Sequence, residues 1–378
     1  MVDEELVRLR RELHSNPELS QNEILTAQRI HSFVSAYHPS EIITNLGGQG
    51  LAVCYNYSQA GPTVAIRCEL DALPIEEENK ISHKSKVPGV SHKCGHDGHM
   101  TIVAGLSKWL QEQSFENGKV ILLFQPAEEI GKGAYDMLQD NRLQSLELDY
   151  IFALHNIPGE KMHSIITMEE GFSAEVISLS IKLEGQESHA AEPDKGISPA
   201  IGISQLVSSL SKLNAPEPEE KNYSVLTPVH IIMGEKAYGV SPARGEIHYT
   251  IRTWNTEGMS ELKSRILHEV EEICRRERLE FQVDWFEHFP ASENDRGCNE
   301  IIRQVAKQSA LVIIEKPHPF KFGEDFGWFS KQYKTAMFGL GAGVDTPALH
   351  SRLYDFPDEL ISTGIKMFKG IIQKILLD

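Results

Sequence analysis

Cys94-Gly95-His96-Asp97-Gly98-His99 places a thiol, two imidazoles and a carboxylate within six residues, directly ahead of an apolar helical stretch. The two glycines let the backbone turn tightly enough for alternate side chains to converge. A mixed S/N/O donor set of this kind suits Zn²⁺, Mn²⁺ or Co²⁺. The competing reading is a helix capped by Asp97 with incidental histidines. A second cluster, Gln125-Pro126-Ala127-Glu128-Glu129, follows the apolar run 119–124. Adjacent carboxylates can divide labour there, one coordinating metal while the other moves protons; alone, the segment also reads as a solvated acidic loop. His155 follows the apolar run 150–154, and Asp71, in Glu69-Leu70-Asp71-Ala72-Leu73-Pro74, follows the run 63–68. In open α/β sheets ligands bind beyond the carboxyl ends of strands. Three polar candidates at three such ends place a site on that rim.

Other residues are less decided by their neighbours. His350, in Pro347-Ala348-Leu349-His350-Ser351, is on spacing alone equally a loop histidine or a ligand. His189, in Ser188-His189-Ala190-Ala191, reads as a surface-loop residue, and His14 as the end or cap of a first helix, with no chemistry assigned. Gly339-Leu340-Gly341-Ala342-Gly343 lacks the spacing of a dinucleotide-binding loop.

The elements that must carry these residues are legible as periodicities. Residues 3–14, 22–37, 98–113 and 132–142 have helical spacing, and the short apolar runs at 64–66, 120–124 and 150–154 have the character of strands buried on both faces. The alternation implies an α/β fold with a mostly parallel sheet. From about residue 174 the pattern changes to strand 175–183, helix 199–213, strands 223–232 and 244–253, helix 258–278 and strand 280–287. That order is the ferredoxin-like β-α-β-β-α-β arrangement. Strand 175–183, half polar, is expected to be an edge free to pair with another chain. Helix 298–309, a strand at 335–339 and helix 358–376 then complete the first domain. The expected organisation is one metal-bearing domain, 1–173 plus 290–378, interrupted by an inserted domain, 174–289.

Composition narrows the class. With 378 residues the chain has room for two to three domains, and 40% hydrophobic with 24% charged residues is ordinary for a globular protein. A net charge of −17 and the lack of a dense basic cluster argue against nucleic acid as partner. No apolar run reaches membrane-span length, and the acidic start Met1-Val2-Asp3-Glu4-Glu5 does not read as a secretory signal. Five cysteines without a C-x-x-C pair make a disulfide framework improbable. The expected location is the cytoplasm.

Taken in order, Arg11-Glu12-Leu13-His14…Pro17-Glu18, Asp71-Ala72-Leu73-Pro74, Cys94 to His99, Gln125 to Glu129, Ala153-Leu154-His155, Ser188-His189-Ala190-Ala191, Glu324-Asp325-Phe326 and Leu349-His350 span nearly the whole chain. This series resembles the dinuclear metal amidohydrolases related to aminoacylase, carboxypeptidase G and the auxin-conjugate hydrolases. The resemblance implies two divalent ions (Mn or Zn, with Co possible) held by Cys94, His96, Glu129, His155 and His350. It makes Glu128 the general base and acid and Asp71 a carboxylate beside the cluster. It implies that His189 stabilises the oxyanion from a partner subunit's lid, and that Arg252 anchors a substrate carboxylate. The inserted domain becomes a lid and homodimer interface. The implied reaction is hydrolysis of N-acyl amino acids to a carboxylic acid and a free amino acid. A dipeptidase or carboxypeptidase is the alternative, and a non-catalytic metal-binding dimer a further one. Glu69, Lys93 and Gly239 depart from the residues common in that family.

Overall fold

The computed structural model describes residues 3–57, 60–169, 171–220 and 222–377. Met1 and Val2 of the acidic start, and Lys221, lie outside the described residues. The first part of the chain forms α1 (Glu4–Ser15), α2 (Ile24–Ser35), β1 (Glu41–Leu46), β2 (Gly50–Asn56), β3 (Thr63–Glu69), α3 (His96–Leu110), β4 (Lys119–Gln125), α4 (Gly133–Leu138), α5 (Asn141–Gln144), β5 (Tyr150–Ile157) and β6 (Ile165–Thr167). The middle part forms β7 (Glu175–Glu184), β8 (Ser188–His189), α6 (Ala200–Ser211), β9 (Ser224–Met233), β10 (Val240–Ser241), β11 (Arg244–Thr253), α7 (Thr256–Glu277) and β12 (Glu280–Phe289). The chain closes with α8 (Arg296–Gln308), β13 (Ile313–Glu315), α9 (Gly327–Ser330), β14 (Lys334–Gly341) and α10 (Leu360–Leu377). Two compact units result: residues 1–172, 292–319 and 324–378, and residues 173–291 with 320–323.

The first unit is built on an eight-stranded sheet in the order β1-β2-β4-β3-β5-β14-β6-β13. Its centre is parallel: β3 pairs with both β4 and β5, and β5 with β14, all in the same sense. The continuous apolar runs explain this placement, because Val64, Ala65, Ile66 and Val120 to Phe124 are all fully buried. Helices α1, α3 and α10 supply Leu6, Leu9, Leu13, Ile102, Leu106, Phe368 and Ile371 to the same core. Each such side chain contributes about 1.5–3 kcal/mol when fully removed from water.

Two features of this unit differ from the sequence reading. The β1–β2 hairpin was not expected, because β1 is half exposed and lacks an apolar run; it forms antiparallel on the sheet margin around Gly47 and Gly48. The helix expected at 132–142 is broken. Asp140 accepts a hydrogen bond from the Arg142 N–H and so caps a new helix, α5.

The second unit is an antiparallel sheet in the order β12-β7-β11-β9. Numbered along the chain, its four strands lie 4-1-3-2, the ferredoxin-like order. Ile177, Leu179, Ile181 and Leu183 form its core with Leu206 and Leu210 of α6 and Leu262, Ile266 and Val270 of α7. Strand β7 is hydrogen-bonded on both sides, to β11 and β12, so it is not the free edge expected from its alternation. Period-two alternation reports which face of a strand is buried, not whether its backbone ladder is paired. The outer strands are β9 and β12.

Candidate metal centre and active site

The donor residues of the first unit converge at the carboxyl ends of β3, β4 and β5. Strand β3 ends at Glu69, two residues before Asp71, and Gln125 ends β4 ahead of Glu128. His155 lies inside the end of β5, which runs on to Ile157. Cys94 and His96 flank Gly95, whose φ of 95° is left-handed. A Cβ at Gly95 would lie 2.5 Å from the side-chain oxygen of Asn156, so only glycine permits this approach.

The ligand-capable atoms of Cys94, His96 and His155 lie within 4.8 Å of one another, as do those of Cys94, Glu129 and His350 and those of His96, Glu128 and Glu129. Cys94 Sγ is 3.4 Å from His155 Nε2. His96 Nε2 is 3.8 Å from Glu129 Oε1 and 3.9 Å from Glu128 Oε2. His350 Nε2 is 3.9 Å from Glu129 Oε2. The fold thus gathers residues separated by up to about 250 positions into one cluster.

The rings of His96 and His155 are oriented from behind. His96 Nδ1 donates to the carbonyl oxygen of Asp71 at 2.9 Å, leaving Nε2 to face the cluster. The Asp71 carboxylate accepts from Ser20 Oγ at 2.7 Å and from the Glu129 N–H at 3.0 Å. His155 Nδ1 donates to the carbonyl oxygen of Asn156 at 2.9 Å, leaving its Nε2 toward Cys94. His96 Nε2 and Glu129 Oε1 are buried with no hydrogen-bond partner among the described residues. Buried polar atoms normally find partners, so two converging orphans of opposite residue type mark a place built for a cation.

Electrostatics agree. Burial, then the facing carboxylates of Glu324 and Glu129, push Glu128 well above the usual carboxylate range. Burial above all pushes Glu129 up to about 7. Burial and the neighbouring carboxylates likewise hold the Cys94 thiol well above its ordinary value. Burial disfavours a charged His96, but the hydrogen bond to Asp71 and the charges of Glu69 and Glu129 push it up to about 10. Burial takes His155 down to about 3, which keeps its ring neutral. Carboxylates and a thiol crowded in a low-dielectric pocket repel one another, and a divalent cation reverses that balance.

Residues 65–374 match the sequence profile of Peptidase family M20/M25/M40. The chain belongs to this family. It is 32% identical to an N-acetyl-L-cysteine deacetylase of Bacillus subtilis over 349 residues, covering 91% of this chain and 82% of that one. It is also 32% identical to an N-acetyldiaminopimelate deacetylase of Bacillus subtilis over 371 residues, covering 98% of each. Among solved structures it resembles a dinuclear metal-binding M20 peptidase of Bacillus subtilis, with a TM-score of 0.85 and 25% identity over 99% of this chain and 98% of that one.

In this M20 chain the two remaining candidates, His189 and Arg252, belong to the second unit. His189 is exposed on β8, which pairs with β10 so that His189 lies opposite Val240. Its Nδ1 accepts from the Ala191 N–H at 3.0 Å, which puts the ring proton on Nε2. Arg252, half buried on β11, donates from Nη1 to the carbonyl oxygen of Lys321 at 2.7 Å. Gly239 has open space where a Cβ would stand.

The structure also brings forward residues given no role on sequence grounds. Arg67 is fully buried and pairs with Glu69, Glu324 and Asp325. Asp325 additionally accepts from Gln125 Nε2 and from the Ala134 N–H at 2.9 Å, tying α4 and β4 together behind Glu128. The signal was available: Arg67 is a lone charge inside the apolar run Val64-Ala65-Ile66-Arg67-Cys68. His14, read as a helix end, is buried between Asp97 at 2.8 Å and Glu77 at 3.1 Å.

Proposed function

We propose that this chain hydrolyses the amide bond of N-acyl amino acids, releasing a carboxylic acid and a free amino acid, with two divalent ions held by Cys94, His96, Glu129, His155 and His350. The observation that carries the reading is the proximity of Glu128, whose carboxylate is not needed as a ligand, to the orphaned pair His96 Nε2 and Glu129 Oε1. The S/N/O donor set suits Zn²⁺ or Mn²⁺, with Co²⁺ also accommodated. When bound, such ions acidify water and polarise an amide carbonyl.

The protein's own residues supply the rest. Glu128, buried and raised in pKa, is suited to take a proton from water and return it to the departing amine. Asp71 aligns His96 and fixes the Glu129 backbone, so it acts on the cluster through other residues. His189, with its proton on Nε2, presents a donor suited to a developing oxyanion, a role typically worth about 3–4 kcal/mol. Arg252 has N–H groups besides the one on Lys321 with which to hold a substrate carboxylate.

We place His189 at the reaction centre of a second copy, in a homodimer formed through the inserted unit. The supporting feature is β9, whose outer edge carries Val229, Ile231, Ile232 and Met233, all exposed. An apolar edge strand is a template for pairing with another chain. Location in the cytoplasm accords with five unpaired, buried cysteines. Among the described residues no helix is long and apolar enough to cross a membrane.

A hydrolysis screen of the metal-supplemented protein over N-acetyl amino acids and dipeptides tests the substrate class. N-acetyl-L-cysteine and N-acetyldiaminopimelate, named after the relatives' activities, belong in it. Release of amino acid from N-acetyl substrates is expected. Turnover of dipeptides with none of N-acyl amino acids would replace the reading by the peptidase alternative.

A further inference from the structure

Glu23 sits at the start of α2 and is fully buried. A single oxygen, Oε1, accepts two backbone hydrogen bonds, from the N–H of Gln21 at 2.9 Å and of Ala127 at 2.7 Å. Both donors have left-handed backbones, with φ of 70° at Gln21 and 52° at Ala127. Neither is glycine, and an L-residue adopts this conformation only against steric resistance from its Cβ. Strain of this kind persists where surrounding contacts over-determine it. Glu23 Oε2 is buried without a hydrogen-bond partner among the described residues, so the contacts that compensate this carboxylate's burial fall on Oε1.

Ala127 is the residue immediately before Glu128 and Glu129. Its carbonyl oxygen is held by the N–H groups of Lys132 at 3.3 Å and Gly133 at 3.1 Å, so the peptides on both sides of it are anchored. From there the chain places the Glu129 N–H on Asp71 and turns Glu128 Oε1 toward the N–H of Asp325, 3.4 Å away.

We propose that Glu23 is a positioning residue for the reaction: its carboxylate holds Ala127 in the left-handed conformation that aims Glu128 and Glu129 into the donor cluster. Without that acceptor Ala127 relaxes toward negative φ, the 127–128 peptide rotates, and both carboxylates leave their places. The inference rests on the reading of Glu128 as base and Glu129 as ligand.

The test compares wild type with Glu23→Ala, Glu23→Gln, Ala127→Gly and the Glu23→Ala/Ala127→Gly double variant. Misplacement of a reacting group by about 1 Å costs on the order of 100-fold, so Glu23→Ala should lose about that much in kcat with little change in KM. It should also retain less Zn²⁺ after dialysis, read by elemental analysis. Glu23→Gln keeps an acceptor for both N–H groups and should stay within about tenfold of wild type. Glycine takes a left-handed φ without steric cost, so Ala127→Gly in the Glu23→Ala background should recover about tenfold or more in kcat, together with Zn²⁺ content. If Glu23→Ala is too unstable for kinetics, melting curves read the same coupling, because Ala127→Gly should then raise its Tm more than that of wild type. Wild-type behaviour of Glu23→Ala overturns the proposal, as does a defect or a Tm that Ala127→Gly does not selectively repair. Failure of the underlying assignment shows separately, as an active Glu128→Gln protein with the 23–127 coupling intact.

Discussion

Raising the pH above neutrality should cost this protein stability through His14, a residue to which the proposed reaction gives no part. Its ring is fully buried, with Nδ1 2.8 Å from Asp97 and Nε2 3.1 Å from Glu77. Burial disfavours the imidazolium, but the charge and hydrogen bond of Asp97 and the hydrogen bond of Glu77 outweigh it, pushing the pKa from 6.5 up to about 9. The gap corresponds to about 3 kcal/mol. The folded state therefore keeps a proton that the unfolded chain releases above pH 6.5. Stability from this interaction is complete below pH 6.5 and drains away as pH rises through about 9. The depressed pKa of Asp97 reflects the same contact and adds nothing further on this side. Urea denaturation of wild type and His14→Gln, both in chelator so that the other histidines cancel in the difference, isolates the effect. The stability advantage of wild type should shrink by about 3 kcal/mol between pH 6 and pH 10. An advantage that is constant or grows with pH would show that the His14 ring is neutral in the folded protein, and the reasoning would fail.

Two further outcomes test the site and its assembly. Glu128→Gln should retain bound metal and lose turnover by about 100-fold or more, since an amide cannot shuttle a proton, whereas Glu129→Ala should lose metal as well; near-normal turnover of Glu128→Gln would remove the base assignment. Mixing inactive His189→Ala and Glu128→Gln chains under subunit exchange should restore about a quarter of wild-type activity, because half the dimers are mixed and each of those has one complete site. Ile231→Lys, placed on β9, should abolish this recovery, and verified heterodimers that remain inactive would return His189 to its own chain or to no role.

Some of this protein could be read directly from the order of its residues. Buried parallel strands need continuous apolar runs, so β3, β4 and β5 stood out, and the donor residues at their ends followed from the geometry of open α/β sheets. The ferredoxin-like order of the second unit was legible because its helices and strands differ in hydrophobic period. The Cys94–His99 hexapeptide stood out by itself, since its thiol and imidazoles are local in the chain.

What periodicity does not encode is lateral pairing and long-range electrostatics. The alternation of β7 fixed which face meets α6 and α7, but hydrogen bonding to β11 and β12 lies in the plane of the sheet and is independent of side-chain pattern; only the fold put β9 and β12 at the edges. Strand β1, and with it the hairpin, escaped because half-exposed residues carry little hydrophobic signal, although β2 itself is buried. His14, Glu23 and Arg67 each took a role from a distant partner, Glu77, Ala127 and Asp325 respectively, 63 to 258 positions away and close only when the sheet closes. A residue's type limits what it can do. Which charge or peptide it faces, and therefore whether His14 is an imidazolium or Ala127 is held left-handed, is set by tertiary packing, because the energies that decide it arise from groups that sequence leaves far apart.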